Sequence, residues 1–246
     1  MLDAIKYTGK PDLSSEGFHA SPEISEASLW VGAPDENEPY QPAVELQSSI
    51  KAAENPPINY PIIFNVERWD LDQRSVGATE AAASRDKMVQ IFDWANPILS
   101  QQQYGLYAFL PIRDYFVGGD PGLVPAWQSA NDLLAPLVAN VRALYPSLYT
   151  FYDDPEGWVA YAQANIAEAQ RIANGRPIYP FLWPQYHSSA PGGLPGTFIA
   201  GDYWRIQLET VHASGADGIV IWSDATQAWN AAADWWLETL DFIAGL

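Results

Sequence analysis

The stretch Pro61-Ile-Ile-Phe-Asn-Val-Glu-Arg-Trp69 combines strand-forming residues with two polar ones, Asn65 and Glu67, spaced two apart. In a β-strand that spacing directs both side chains to the same face of the sheet. If the strand belongs to an α/β barrel, both groups lie at the C-terminal mouth, where such barrels carry their active sites. An amide beside a carboxylic acid, with Trp69 two residues on, indicates protonation of a glycosidic oxygen over a sugar ring.

Strand-like and helix-like segments alternate along the 246 residues. This alternation predicts a parallel sheet, and the length favours closure into one TIM-like (β/α) barrel, distorted and with seven or eight strands. The Pro/Gly-rich stretches at 32–42, 118–125 and 188–196 follow strands, so we interpret them as mouth loops within a single domain spanning 1–246. The predicted strands are 4–7, 27–31, 61–67, 104–110, 147–152, 177–183 and 218–222, and the predicted helices are 43–54, 79–99, 125–144, 157–174, 202–214 and 228–244.

The charge balance restricts the classes of partner. The chain carries 30 acidic and 12 basic residues, a formal charge of −18, which disfavours a nucleic-acid partner. A polyanionic substrate is also repelled at long range, unless Arg68, Arg113 and Arg205 form a local positive patch. We favour solubility, or adaptation to salt, as the reason for the acidity.

Other sequence features bound the location and the chemistry. There is no cysteine, hence no thiolate site or disulfide, and His187 and His212 lack metal-ligand spacing. We therefore expect neither a metal nor a cofactor. No apolar run reaches a membrane span and no signal-peptide pattern begins the chain. We expect a monomer without a membrane partner, secreted with its leader removed, the alternative being a cytoplasmic protein.

Aromatic residues are abundant: 11 Trp, 13 Tyr and 9 Phe. Core packing explains most of them, and it is our interpretation of Trp235 and Trp236, which lie in a predicted helix. By the usual composition of ligand pockets, about one in four lines a cleft where sugar rings stack. We assign Trp69, Trp183 and Tyr186 to such a cleft, because each lies at or just past a predicted strand end.

Glu67 is the best candidate for the proton donor that glycoside hydrolysis needs, because a carboxylic acid in a partly apolar mouth keeps its proton more readily. Asn65 does not titrate but can hold a substrate amide by hydrogen bonds. The N-x-E triplet alone does not decide the matter, since a glutamate near a strand end is more often solvated or ion-paired.

Six segments in order resemble the hyaluronidase family, which includes the bee-venom and mammalian enzymes. Phe64-Asn65-Val66-Glu67-Arg68-Trp69 stands where that family has I-D-F/W-E-x-W. The other segments are Lys6-Tyr7-Thr8-Gly9-Lys10-Pro11 (Y-x-x-x-P), Gly105-Leu106-Tyr107-Ala108-Phe109 (G-Y-Y-A-Y), Pro146-Ser147-Leu148-Tyr149 (P-S-V/I-Y), Tyr179-Pro180-Phe181-Leu182-Trp183-Pro184-Gln185-Tyr186 (L-P-Y-Y-W-Y-K-Y) and Gly215-Ala216-Asp217-Gly218-Ile219-Val220-Ile221-Trp222 (G-A-x-G-x-I-x-W).

The resemblance implies a distorted (β/α) barrel and a retaining, substrate-assisted mechanism. In the family, the Glu protonates the leaving oxygen and the acetamide of an N-acetylhexosamine attacks its own anomeric carbon. Carried over, Glu67 is the acid/base, Tyr149 contacts the acetamide and Trp222 forms a packing wall. Tyr107, in the segment resembling G-Y-Y-A-Y, is a further expected substrate contact. The partner implied is a polysaccharide or oligosaccharide.

The chain departs from the family at Asn65, where the family has an Asp that orients the acetamide. Some endo-β-N-acetylglucosaminidases place an Asn two residues before the acid and use its amide for the same role. With Asn65 the site is therefore either a working variant or one with weakened catalysis. In the extreme case the barrel is catalytically silent and only binds a glycan. With the acidic surface and the missing cysteines, Asn65 favours a neutral or partly deacetylated amino-sugar polymer over hyaluronan.

A substrate without an N-acetyl group would require a second carboxylate, and Asp153 and Asp224 are the candidates. Asp153 or Asp154 also fits a helix N-cap ahead of Pro155 and Glu156. Asp224 follows the last predicted strand, so it is either a loop cap or a group that binds a sugar hydroxyl. The alternative function is thus a two-carboxylate glycosidase on a neutral glycan.

Overall fold

The structure is a computed structural model that describes residues 1–25, 48–52, 61–99 and 103–246. The strand predicted at 27–31 lies outside the described residues. Of the helix predicted at 43–54, only residues 48–52 are described, and they are helical (α1).

Short parallel strands form two sheets in the described residues. One sheet has the order β2-β1-β7-β6 and the other the order β3-β4-β5, and neighbouring strands in both are parallel. The strands are β1 (Leu2–Ala4), β2 (His19–Ala20), β3 (Glu23–Ser25), β4 (Ile62–Asn65), β5 (Tyr104–Leu106), β6 (Phe181–Leu182) and β7 (Val220–Trp222).

Further backbone pairing closes the two sheets into a barrel. Residues 144–150 bridge β5 to β6, through the parallel pairs Tyr107↔Tyr145 and Ser147↔Phe181. On the opposite side only two residues separate β2 from β3, and the Ile63 N–H donates to the Pro22 carbonyl at 3.0 Å. Counting β2–β3 and 144–150 as one position each, the described wall has seven strand positions. This confirms the predicted (β/α) barrel.

Helices follow the strands and pack outside the wall. Among the described residues these are α2 (Gln73–Val76), α3 (Ala78–Ala95), α4 (Val124–Asp132), α5 (Ala135–Asn140), α6 (Pro155–Ala173), α7 (Gly201–Ala213) and α8 (Asp234–Ala244). None of them is long and apolar enough to cross a membrane.

The single helix predicted at 125–144 is wrong. The chain there forms α4 and α5, and residues from 143 onward enter the barrel wall. Pro136 accounts for the break, since it has no N–H to donate to the carbonyl of Asp132, the last residue of α4. The helix-start prediction holds for Asp154, which caps α6 by accepting from the Gly157 N–H at 3.0 Å.

The alternation along β4 divides its side chains between two cores. Ile62, Phe64 and Val66 are buried in a cluster with α3, where the Phe64 ring meets Phe92 edge-on at 5.1 Å. Ile63 belongs instead to the aromatic-rich cluster inside the barrel. Because side chains alternate along a strand, Asn65 lies on the Ile63 side, toward the barrel interior. The members of that interior cluster include Leu2, Tyr107, Tyr145, Tyr149, Phe181, Trp183 and Val220.

Candidate active site

The carboxyl ends of the strands open into a cleft of about 250 Å³. Its lining brings together residues from positions all around the barrel wall, as expected for the mouth of a parallel barrel. Of the predicted site residues it contains Asn65, Glu67, Tyr107, Tyr149, Trp183, Trp222 and Asp224, and it adds Glu23, Ile63, Phe181, His187 and Ser188.

Glu67 lies just beyond β4 and is exposed at the cleft. Its carboxyl group lies close enough to two phenols of the barrel interior to influence their pKa values. Burial raises the pKa of Tyr107 to about 12, with a smaller contribution from Glu67. Burial also raises the pKa of Tyr149 well above its ordinary value, and interactions with Tyr107, Glu23 and Glu67 add to this. Both phenols are therefore neutral at physiological pH and lie close to the Glu67 carboxyl group.

Asn65 is held by a carboxylate from the neighbouring strand. β3 and β4 run parallel with Ser25 opposite Asn65, which brings Glu23 to the same face. The Asn65 Nδ2 donates to Glu23 Oε1 at 2.7 Å. Lys6, which follows β1, donates its Nζ to Glu23 Oε2 at 2.6 Å. The Lys6 cation, the Glu23 carboxylate and the Asn65 amide are thus joined in a row by two hydrogen bonds.

These hydrogen bonds determine which atom of the Asn65 amide is available to a ligand. A carboxylate accepts hydrogen bonds and cannot donate them, so the Asn65 NH₂ must face Glu23. The Asn65 Oδ1 is buried and has no hydrogen-bond partner among the described residues. A buried acceptor of this kind is costly unless a donor reaches it. The Asn65 Oδ1 is thus an acceptor that the described residues leave unmatched at the edge of the cleft.

The cleft walls are aromatic and meet at Tyr149. The Tyr149 ring lies 5.6 Å from Trp183 and 5.7 Å from Trp222, and the two indoles meet at 5.0 Å, nearly perpendicular. Tyr107 adds its ring at 6.0 Å from Tyr149 and pairs its hydroxyl with Ser147 Oγ at 3.2 Å. Such rings present flat apolar faces, on which the C–H face of a pyranose packs.

A buried glutamine fixes the orientation of Trp183. The Trp183 Nε1 donates to Gln185 Oε1 at 3.1 Å, and the Tyr7 hydroxyl donates to the same oxygen at 2.6 Å. Gln185 is buried. A ring whose N–H is anchored in the interior cannot rotate freely, so this wall of the cleft is preformed.

Asp224 fits both interpretations made from the sequence. It lines the cleft, and its Oδ1 accepts from the Thr226 N–H at 3.0 Å and from the Thr226 hydroxyl at 2.6 Å. The carboxylate therefore shapes the loop after β7 while remaining at the cleft. The neighbouring Trp222 ring has the Lys6 Nζ 5.4 Å from its centre.

His187 and Ser188 were not singled out from the sequence as site residues. The His187 ring lies 4.8 Å from Phe151, and its Nδ1 pairs with Ser189 Oγ at 2.7 Å. Burial lowers the pKa of His187, and the charge of Arg113 lowers it further. The imidazole is therefore neutral at pH 7, and it can exchange hydrogen bonds with sugar hydroxyls.

Three predicted site residues are not among those that line the cleft. The Tyr186 hydroxyl donates to Asp153 at 2.8 Å, while the Tyr186 ring is buried in the outer core with α6 and α7. Trp69 is buried in the core beside α3, with the Lys87 Nζ 5.4 Å from its ring centre. Trp69 and Tyr186 both follow a strand end, but their rings are turned into the helix layer rather than into the mouth of the barrel.

Glu23 is the main residue that the sequence reasoning missed. The only signal is the alternation in Glu23-Ile24-Ser25, which is short and is preceded by Pro22. A proline interrupts strand pairing, so this segment did not stand out as part of the wall. Its importance follows from the parallel register with β4, which only the fold reveals.

No metal site accompanies these carboxylates: within residues 1–25, 48–52, 61–99 and 103–246, no three His, Cys, Asp or Glu side chains are grouped to hold a metal ion.

No protein-family model matches the chain, and no curated protein matches it in sequence. Its similarity to solved structures is nevertheless extensive. Bee venom hyaluronidase is 12% identical, with a TM-score of 0.68 over 98% of this chain and 94% of that chain. The structure of bee venom hyaluronidase with a hyaluronic acid tetramer is 13% identical, with a TM-score of 0.64 over 94% and 88%. An engineered protein is 13% identical, with a TM-score of 0.52 over 94% and 54%. At these identities the similarity establishes the fold: the chain is a TIM-like barrel with the architecture of bee venom hyaluronidase.

Proposed function

We propose that the protein is a retaining glycoside hydrolase that cleaves an amino-sugar-containing polysaccharide, with Glu67 as acid/base and Asn65 orienting the acetamide. The observation that carries the proposal is the Asn65 Oδ1, a buried acceptor that no described residue pairs with, beside Glu67 in an aromatic cleft. The fold supports it, since a solved structure of the same architecture holds a hyaluronic acid tetramer.

The reaction proceeds in two steps at the anomeric carbon. First, Glu67 gives its proton to the glycosidic oxygen as the bond to the leaving sugar breaks, and the acetamide oxygen of the same sugar bonds to the anomeric carbon. Asn65 Oδ1 accepts the acetamide N–H and fixes that group for attack, while the neutral Tyr149 phenol contacts it. Then water attacks the anomeric carbon and gives a proton to the Glu67 carboxylate, while the bond between that carbon and the acetamide oxygen breaks. The acetamide is restored and the configuration of the anomeric carbon is retained overall.

The charges of the cleft favour a neutral or partly deacetylated polymer. Glu23, Glu67 and Asp224 all line it, and the Lys6 cation is bound to Glu23. Arg205, one of the three arginines considered for a positive patch, is ion-paired at 2.5 Å with Glu209 and at 2.7 Å with Asp241. Arg113 acts on Tyr107 and His187 and offsets part of the negative charge at the cleft, so the repulsion of a polyanion comes mainly from the formal charge of −18 on the whole chain.

The test is reducing-end release by wild type and by Glu67→Gln across hyaluronan, chondroitin, chitin oligomers, a galactosaminogalactan and neutral glucans. Glu80→Gln, an exposed glutamate in the first turn of α3, is the matched control. We expect activity on N-acetylated polymers, lost about 10²- to 10⁴-fold in Glu67→Gln as for a general acid, and unchanged in the control. Wild-type rates in Glu67→Gln would refute the assignment. Saturable binding without any product would instead indicate a silent barrel.

Asp224 supports a second candidate, a two-carboxylate glycosidase acting on a neutral glycan. Asp224 lines the cleft with Glu67, whereas Asp153, the other candidate considered from the sequence, is not among the lining residues. In this reading wild type cleaves neutral glucans and Asp224→Ala abolishes that activity. An active Asp224→Ala variant would eliminate it.

A further inference from the structure

We infer that Glu23 is a positioning residue that sets which end of the Asn65 amide faces the substrate. The inference rests on the proposed function, because the oxygen so presented is the one that holds the acetamide. It adds to that function a carboxylate supplied from β3, the strand beside β4, which carries Asn65.

Both oxygens of Glu23 are already engaged in the structure. Oε1 accepts from Asn65 at 2.7 Å and Oε2 accepts from Lys6 at 2.6 Å. The Glu23 side chain is only 16% exposed. A nucleophilic carboxylate must turn an oxygen toward the anomeric carbon, whereas these two contacts hold Glu23 against its protein neighbours. The geometry therefore favours positioning over direct attack.

The carboxylate gives the amide a single orientation. The two ends of an asparagine side chain have nearly the same size, so packing alone distinguishes them poorly. Because Glu23 only accepts, the Asn65 NH₂ points to it and Oδ1 is left for the substrate. In the flipped orientation the NH₂ would face the acetamide N–H, donor against donor, and the attacking oxygen would no longer be held in place.

Lys6 makes this orientation testable. Its ammonium group only donates, so in Glu23→Gln the new amide turns its carbonyl to Lys6 and its NH₂ to Asn65. Asn65 must then reverse to accept. If Lys6 is removed as well, the glutamine can turn its carbonyl back to Asn65 and restore the original orientation.

The kinetic experiment uses Glu23→Gln, Lys6→Met and the double variant, on whichever of chitin oligomers or hyaluronan the wild type cleaves. We expect kcat to fall about 10- to 100-fold in Glu23→Gln, the effect of losing one hydrogen bond to a charged group. Lys6→Met alone sets the reference, because Lys6 also contacts Glu23 and the Trp222 ring, and the double variant should recover from the Glu23→Gln level to the level of Lys6→Met. Asp3→Asn, which alters the neighbouring ion pair with Lys10, is the control and should leave kcat unchanged. An equal loss in Glu23→Gln and the double variant would overturn the inference.

A second arm asks whether Glu23 acts through Asn65. In an Asn65→Ala background, Glu23→Gln should cost little more, since contacting residues that act as one unit are not additive. Additive losses would mean that Glu23 acts independently of Asn65 and would contradict the positioning role.

A third arm needs no turnover. The ¹⁵N side-chain amide signals of Asn65, assigned by their disappearance in Asn65→Ala, should shift in Glu23→Gln and return toward wild type in the double variant. Unchanged signals would overturn the inference even in an active enzyme. The wild type could cleave no N-acetylated polymer while the signals still shift in Glu23→Gln and return in the double variant. That result would refute the proposed function but support the orientation of Asn65 by Glu23.

Discussion

Asn65→Asp places a second carboxylate against Glu23, and we expect it to destabilise the protein in a pH-dependent way. In the wild type an N–H fills the 2.7 Å contact between Asn65 and Glu23. After the substitution two carboxylate oxygens face each other there. Lys6 can balance only one of the two charges. The structure thus argues against the simple view that an aspartate at this position would improve the site.

The size of the penalty follows from two estimates. Two unit charges about 4 Å apart repel by about 4 kcal/mol at an effective dielectric constant of 20. The pair can instead bind one proton, which for a carboxyl of ordinary pKa about 4 costs about 4 kcal/mol at pH 7, at about 1.4 kcal/mol per pH unit. We therefore expect the free energy of unfolding of Asn65→Asp to be lower than that of wild type by at most about 4 kcal/mol at pH 7. The folded variant then binds more protons than its unfolded chain, so the loss grows as pH rises and vanishes near pH 4.

Urea unfolding at pH 5 and at pH 7 measures this directly. Wild type, Asn65→Asp and the double variant Asn65→Asp with Glu23→Gln are compared, with Asn65→Ala as the control that removes the amide without adding charge. The penalty of Asn65→Asp relative to wild type should be about 2 to 3 kcal/mol larger at pH 7 than at pH 5. It should be relieved in the double variant. A pH-independent difference, or no relief, would refute the contact between Asn65 and Glu23.

Three further predictions concern other groups. Asp153→Asn and Tyr186→Phe should leave kcat within a few-fold of wild type, because their hydrogen bond lies outside the cleft lining; a loss above about 10-fold in steady-state assays would contradict this. Glu168→Leu should lower the free energy of urea unfolding by about 2 kcal/mol, since this buried carboxylate is held by an arginine and two amide side chains; an unchanged midpoint would count against it. Burial, then Arg113, lowers the pKa of His187, so the folded state binds fewer protons than the unfolded chain and stability falls as pH drops below about 6.5. The Tm of His187→Gln should therefore fall less between pH 7.5 and pH 5.5 than the Tm of wild type. An equal fall in both proteins would contradict the prediction.

The features predictable from the sequence are those carried by local pattern. The alternation in 61–67 is enough to place Asn65 and Glu67 on one face, and strand–helix alternation is enough for the barrel. Trp183 and Trp222 follow from their places at strand ends and from the family resemblance. In each case the signal lies within a few neighbouring residues, where periodicity operates.

What the sequence could not provide depends on pairing between distant segments. Glu23 reaches Asn65 only because β3 and β4 are neighbours in register, 42 residues apart in the chain. Trp69 and Tyr186 follow the same strand-end rule as Trp183, yet their rings turn into the helix layer. A strand end specifies a location but not which of two layers receives a large ring, because that choice depends on the helices packed against it.

The parallel pairing of β1 with β7 joins Leu2 to Val220, nearly the full length of the chain apart. Contacts of such separation form late, since the intervening chain must be ordered first. Lys6 and Trp222, which meet across this seam, come together only when the last strand is in place. During synthesis the cleft therefore has no complete wall until the final strand has emerged, and a chain interrupted before β7 should be unable to hold a sugar.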